Sequence, residues 1–253
     1  MRTTATYVYC LVKSPRKPSL AKAPRGVPGG GTPRAIAGDK GTWLIVSEVP
    51  LDLYGSAAID SGLRDLTWVS ERAMAHEAVI EHVARASDLV PMKLFTIFRD
   101  DDRAVAHVAK RRDVAGIFRR IAGSSEWSVR MTAAAPVSSK TVAMPLDVRA
   151  NSGTSFLLKK KSERDATREA ASAARQAVDK VYGDLASIAR GAVRKEGDVA
   201  GTSLLLDAAF LVRRSQQARF TSAANRLAAT ARQAGCDLTL SGPWPPYHFV
   251  AGA

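Results

Sequence analysis

Apolar and polar positions alternate or recur along this chain in blocks, and each block predicts an element. "TYVYCLV" (6–12) is β-branched and aromatic, and "TWLIVSEV" (42–49) repeats that character, so both read as strands. Between them, the Pro-, Gly- and Lys-rich stretch at 13–41 shows no periodicity. It reads as a long loop that can bury little and is open to disorder. "PLDLYGSAA" is a turn with some helical character, and a helix follows from Thr67, capped by Thr67 or Ser70. Its apolar face carries Val69, Ala73, His76, Ile80 and Val83, in alternating steps of four and three. Pro91 stops the helical pattern, and "MKLFTIF" (92–98) reads as a strand. "RDDDR" places acid at the start of a further helix, where carboxylates suit the positive dipole end. Val105, Val108, Ala115, Phe118 and Ile121 mark its inner face, and "EWSVRMTA" (126–133) is the next strand. The amino-terminal half therefore predicts an α+β sandwich, with helices covering one face of an antiparallel sheet.

Past a loop-like stretch at 135–153, a long helix is predicted from about Ser155 to about Arg190. Its stripe is Ala166, Ala170, Ala173, Ala177, Val181, Leu185 and Ile188, small residues that let a second helix approach closely. "TSLLLDAAFLVRR" (202–214) reads as a strand. A helix from Ser215 carries Phe220, Ala224, Leu227, Ala231 and Ala234, with Gly235 suited to its C′ position. "CDLTLSG" closes as a strand. Two domains are expected, 1–134 and 135–253, the second built on a long-helix coiled-coil pair beside a small sheet.

Composition changes this picture little. The 253 residues are 46% hydrophobic and 24% charged, enough for a real core. No apolar run reaches membrane-spanning length, and the start lacks the pattern of a signal peptide, so the expected compartment is the cytoplasm. Cys10 and Cys236 form no CxxC pair and read as buried thiols. The 37 Lys and Arg outweigh 24 Asp and Glu, for a net charge of +13. That favours an anionic partner, and nucleic acid is the alternative that charge alone raises. The tight basic clusters, Lys110–Arg112 and Lys159–Lys161, carry no interleaved aromatics.

The chain carries several fragments of catalytic and metal-binding motifs, none of them complete. "HEAVIEH" (76–82) resembles a zinc-protease motif, but position 80 is Ile, and His76 and His82 lie about 240° apart around a helix. His76 sits on the apolar stripe, where a hydrogen-bonded core histidine is the plainer reading. Asp100–Asp102 lack the spaced carboxylates of a calcium loop and read as a helix cap. "GVPGGGT" lacks the Lys-Ser/Thr of a phosphate loop, and the GxSxG and GxGxxG patterns are missing. No catalytic, cofactor or metal residue is assigned.

"SGPWPPYHFV" (241–250) is unusual in a chain with only 6% aromatics. Prolines stiffen it, so little entropy is lost when it docks. Trp244, Tyr247 and Phe249 could each bury a large surface, worth about 2 kcal/mol if fully covered. They either lock onto their own chain or form an aromatic ridge for another protein. With an internal lock, Trp244→Ala is expected to destabilise the fold by several kcal/mol.

The blocks "YVYCLV", "EVPLDLYG", "WVSERAMAHEAVIEHV", "LVPMKLFTIF", "GTSFLLKKK", "AFLVRR" and "GPWPPYHFV" together resemble the gas vesicle GvpL/GvpF family over nearly the whole chain. Trp68, His76 and Glu77 match its recurrent Trp…His-Glu pattern, and the closing block is the most specific. Some members carry Phe-Gly where this chain has Leu94-Phe95. The resemblance implies a modified ferredoxin-like first domain and a second with a long-helix coiled-coil element. It further implies an accessory or minor structural role in gas vesicle assembly, at the gas vesicle. The implied partners are the small hydrophobic shell protein and other gas vesicle proteins, with no cofactor and no membrane partner.

Overall fold

A computed structural model describes residues 3–39, 41–110, 113–134, 153–195 and 203–250. The chain divides into two compact units, Met1–Glu126 with Pro243–Ala253, and Trp127–Gly242. The sequence placed the division at 134/135 and kept the tail with the second half. The structure instead returns the tail to the first unit, because its polar groups find their partners there. The boundary loop expected at 135–153 lies outside the described residues except for Gly153, which opens a helix.

The first unit is built on β1 (Thr4–Lys13), β2 (Arg34–Ala37), β3 (Thr42–Pro50) and the short helices α1 (Leu51–Tyr54) and α2 (Ser56–Gly62). It continues through α3 (Leu66–Ala84), β4 (Leu89–Pro91), β5 (Ile97–Phe98), α4 (Asp101–Ala109) and α5 (Val114–Ile121). The strands form an antiparallel sheet in the order β2-β3-β1-β4, with β5 also pairing β1. A bulge between Val8 and Cys10 shifts the β1–β3 register, and β1 is buried on both faces. Neighbouring residues on a strand point to opposite faces. Tyr7 meets His76 of α3, whereas Thr6 donates to Asp101 of α4 at 2.8 Å. Helices therefore pack on both faces, not on one as expected.

Several local expectations shift for identifiable reasons. Asp65, not Thr67 or Ser70, caps α3 by accepting from the Thr67 and Trp68 amides. The buried stripe of α3 is Arg72, His76, Val79, Ile80 and Val83, so a cation replaces the expected Ala73. Of the strand read at 92–98 only Ile97–Phe98 is strand, as β5; β4 ends before it at Pro91, and Phe95, with a φ of 62°, turns the backbone between them. The single helix read after "RDDDR" is two helices: Asp113 takes a φ of 61°, and its side chain caps α5 at the Gly116 amide. That break resets the helical phase, leaving Ala115 exposed and Ile117 buried.

The stretch at 13–41 is ordered wherever it is described, and it supplies β2. Val27 is buried and donates its amide to the Tyr9 hydroxyl at 3.0 Å. Tyr54 donates to the Pro28 carbonyl at 2.7 Å, and Gly31 donates its amide to Glu48 at 2.7 Å. A Cβ at Gly26 would collide with the Tyr9 hydroxyl, so this glycine permits close packing.

β6 (Ser124–Ala133) carries the chain into the second unit, and it joins that unit's sheet, not the first sheet as read from sequence. There follow α6 (Gly153–Ile188), β7 (Gly191–Arg194), β8 (Leu204–Arg213), α7 (Gln217–Gln233) and β9 (Cys236–Trp244). The strand order is β7-β8-β6-β9, and the sequence reading missed β7 altogether. Trp127, Val129, Met131, Leu206, Phe210 and Val212 of the sheet pack against Val178, Val181 and Leu185 of α6 and Phe220, Ala224 and Leu227 of α7. Phe220 sits 5.5 Å from Phe210 and 6.1 Å from Trp127, ring to ring. Gly235, at φ 71°, ends α7 from the C′ position, a conformation that favours glycine. Only the carboxy-terminal part of the α6 stripe is used, since Ala166, Ala170 and Ala173 are exposed.

Candidate functional site

The candidate site lies wholly in the first unit, where the tail segment 243–250 returns to α3, α5 and the start of β6. Prolines set its course: Pro245 and Pro246 are buried, and Tyr247–Phe249 closes into one 3₁₀ turn. Each of the three residues in that turn is held. The Tyr247 hydroxyl donates to the Glu77 carboxylate of α3. The His248 amide donates to Glu126 Oε2 at 2.8 Å, and its Nδ1 lies 2.6 Å from Glu126 Oε1. Arg120 Nε donates to the Phe249 carbonyl at 2.9 Å. Glu126 is only 3% exposed, so its carboxylate depends on these donors for its solvation.

The three aromatics read from sequence are thus placed differently. Phe249 is 8% exposed and Tyr247 is half-buried, both against their own chain. Trp244 is 40% exposed. Desolvation raises the Glu77 carboxyl above its usual range; Tyr247 works against that, and Glu81 adds to it. Burial and the neighbouring Glu77 carboxylate push the Tyr247 hydroxyl strongly upward.

Beneath α3 runs a second network. His76 is 2% exposed and uses both ring nitrogens. Nε2 lies 3.1 Å from the Met92 carbonyl, which can only accept, so Nε2 carries the proton. Nδ1 then accepts from the Tyr7 hydroxyl at 2.9 Å, and Tyr7 accepts from the Phe95 amide at 3.3 Å. Burial lowers the His76 pKa to about 4, partly countered by the Met92 carbonyl, so the ring is neutral near pH 7. With both nitrogens committed to protein partners, His76 ties α3 to β1 and to the 92–95 segment. Phe95 holds a left-handed conformation that glycine would adopt without strain. Its ring stacks on Trp68, with centroids 5.4 Å apart.

Arg72 completes this face of α3. Its guanidinium lies 3.8 Å from the centre of the Trp68 ring and 5.6 Å from that of Tyr54. Nη1 donates to the Trp68 carbonyl at 3.2 Å. Burying this charge is offset by the ring faces rather than by a close carboxylate, since Glu71 lies 3.9 Å away and is exposed.

A cavity of about 700 Å³ opens between α3, the 90–98 segment, α4 and the tail. Its wall is largely apolar, with Met92, Phe98, Val108 and Val250, and its polar groups include Glu77, His107 and Tyr247. His107 packs on Phe98 at 5.0 Å between centroids. This geometry can accept apolar side chains beside one hydrogen-bonded carboxyl group. Among the described residues no three His, Cys, Asp or Glu side chains group as metal ligands. Asp100 caps α4 by accepting from the Arg103 amide at 2.9 Å, and Asp101 pairs with Arg34 at 2.7 Å. No helix among the described residues is long and apolar enough to cross a membrane. Of the basic clusters, Lys110, Lys160 and Lys161 are exposed, while Arg111 and Arg112 lie outside the described residues.

Sequence reasoning missed Arg72, Arg120 and Glu126. Glu126 falls off the parity of Trp127, Val129 and Met131, and so resembles a solvated strand position. Arg72 could have been found, because it lies four residues before His76 and shares its helical face.

Several known proteins resemble this chain in sequence or in fold. "Gas vesicle protein L" of Streptomyces sp. (strain CB03234) is 28% identical over 257 residues, covering 96% of this chain and 92% of the relative. The fold resembles the crystal structure of GvpF from Anabaena sp. PCC7120, with a TM-score of 0.68 at 14% identity, over 98% of this chain and 96% of that one. It also resembles GvpF from Microcystis aeruginosa, with a TM-score of 0.63 at 13% identity, over 97% and 98% of the two chains. The sequence matches the family described as "Gas vesicle synthesis protein GvpL/GvpF" across residues 5–251, and the chain belongs to that family.

Proposed function

We propose that this chain serves gas vesicle assembly as an accessory or minor structural protein in the cytoplasm and at the vesicle. It docks the small hydrophobic shell protein and other gas vesicle proteins, and it makes and breaks no covalent bond. The family match across residues 5–251 carries this reading. The physical fit is secondary but consistent. A small apolar subunit must be kept from aggregating before it joins a wall, and a partner for it needs apolar concavities or exposed helical faces. The first unit offers an apolar-walled cavity, and the tail beside it presents Trp244 at 40% exposure. Tyr247 and Phe249 hold that tail in position. The charge of +13 accelerates encounter with acidic surfaces more than it deepens affinity.

The test is capture of purified shell protein by the immobilised full chain at low and high salt. Capture at both, with greater recovery at low salt, is expected. No capture at either salt overturns the docking function, and equal recovery at both removes the electrostatic part.

A further inference from the structure

Between Leu157 and Ala173 every described side chain of α6 is exposed, and the second core takes residues from this helix only from Ala174 onward. Helical geometry sorts the charges on this stretch. At about 100° per residue, Lys160, Lys161, Arg164, Arg168 and Arg175 fall within an arc of about 100°. Glu163, Asp165 and Glu169 fall outside it. Asp179 borders the arc but is paired with Arg194 at 3.0 Å. The stripe is about 22 Å long at 1.5 Å per residue. Lys160, Arg164 and Arg168 follow one another at intervals of four, a spacing at which like charges destabilise a helix. Asp165 is placed to relieve Lys161 and Arg168 from one side, and it leaves Arg164 to its basic neighbours.

Width selects the partner. The stripe is narrow and is flanked by carboxylates on both sides, Asp165 and Glu169 on one and Glu163 on the other. A nucleic acid duplex is broader than the stripe and would bring phosphates against those acids. A single helix, about 10 Å across, can follow the cations and stay clear of the flanks. A second copy of this helix would set cation against cation.

We propose that this stripe of α6 docks an acidic helix of a partner protein, with carboxylates recurring at intervals of four. This deepens the docking function proposed above and rests on it. The probe is a synthetic helical peptide with glutamates at every fourth position on one face. The controls are a scrambled peptide of equal composition and a duplex DNA. Fluorescence anisotropy with the full chain at low salt should show the patterned peptide binding on the order of tenfold tighter than the scrambled one. Raising the salt should abolish the difference. The charge reversal K160E/R164E/R168E should abolish it as well, with circular dichroism reporting the helix content. Should that variant lose helix, R164Q/R168Q carries the same expectation without reversing charge. Equal binding of both peptides, unchanged binding by the variants, or tighter binding of duplex DNA would overturn the proposal. Capture of the shell protein by the same preparations separates the two ideas. If capture persists while the peptides bind alike, only the stripe is overturned; if the unaltered chain captures nothing, the docking function itself is overturned.

Discussion

Phe249→Ala probes whether the tail is structural cement for the first unit. The ring is 8% exposed, and the residue's carbonyl is anchored by Arg120 at 2.9 Å. Truncating a well-buried Phe costs about 3–5 kcal/mol. A strap held by a few contacts has an escape that a central core residue lacks: it can detach and leave the rest folded. The cost is therefore capped by the strap's own docking energy. That energy comes from the donors to Glu77 and Glu126 and from Arg120, each worth about 1–2 kcal/mol, plus the burial of Pro245, Pro246 and Phe249. A loss of about 3 kcal/mol follows, a fall in Tm of about 6–12 °C for a protein of this size. Trp244→Ala, at a residue 40% exposed, should cost under about 1 kcal/mol, not the several that sequence alone led one to expect. Guanidinium unfolding of both variants, with hydrogen exchange across α3 and α5, measures this. Trp244→Ala matching or exceeding Phe249→Ala would refute the assignment of the lock to the 3₁₀ turn.

Three further outcomes are expected. His76 has a folded pKa of about 4 against an ordinary 6.5, so its contribution is present above pH 6.5 and is lost as pH falls toward 4. That is about 3 kcal/mol across the window, and the imidazole NMR shifts should show a neutral ring at pH 5; a titration above pH 6 would contradict it. Glu77 has a raised folded pKa, so its contribution is complete below the unfolded pKa and falls away as pH rises through the folded one. Glu77→Gln should therefore flatten the stability-against-pH curve in the window between the unfolded and the folded pKa, while still accepting from Tyr247; an unchanged curve would refute this. Arg72→Lys should lose about 1–2 kcal/mol in urea unfolding, because an ammonium does not stack on Trp68 as a planar guanidinium does, and a neutral effect would show that the ring contact contributes little.

Long periodic segments were legible in the sequence. The stripe of α7 through Phe220, Ala224, Leu227 and Ala231 and the closing Gly235 appear as read. Failures occurred where one residue's backbone or one non-local partner overrode the pattern. Phe95 adopts a left-handed conformation rare for an aromatic residue, and Asp113 adopts one uncommon outside glycine; each interrupts an element that periodicity joins. The Pro/Gly stretch looked unable to pack, yet the Tyr9 and Tyr54 hydroxyls, distant in sequence, supply the hydrogen bonds that order it. The candidate site was half legible. Composition marked the tail as special, but its anchors Glu126 and Arg120 lie 122 and 129 positions away from the residues they hold. Nothing local in the sequence marks them.

The return of segment 243–250 to the first unit also bears on the order of synthesis. A ribosome makes β1 through α5 first, yet the residues that hydrogen-bond Glu126 and cover that side of α3 are translated only after the whole second unit. While translation continues, the nascent first unit holds the Glu126 carboxylate without its donors and an apolar seat without its phenylalanine. Its maturation is thereby coupled to completion of the second unit, and a chain cut short within that unit would leave a surface that chaperones and proteases can recognise.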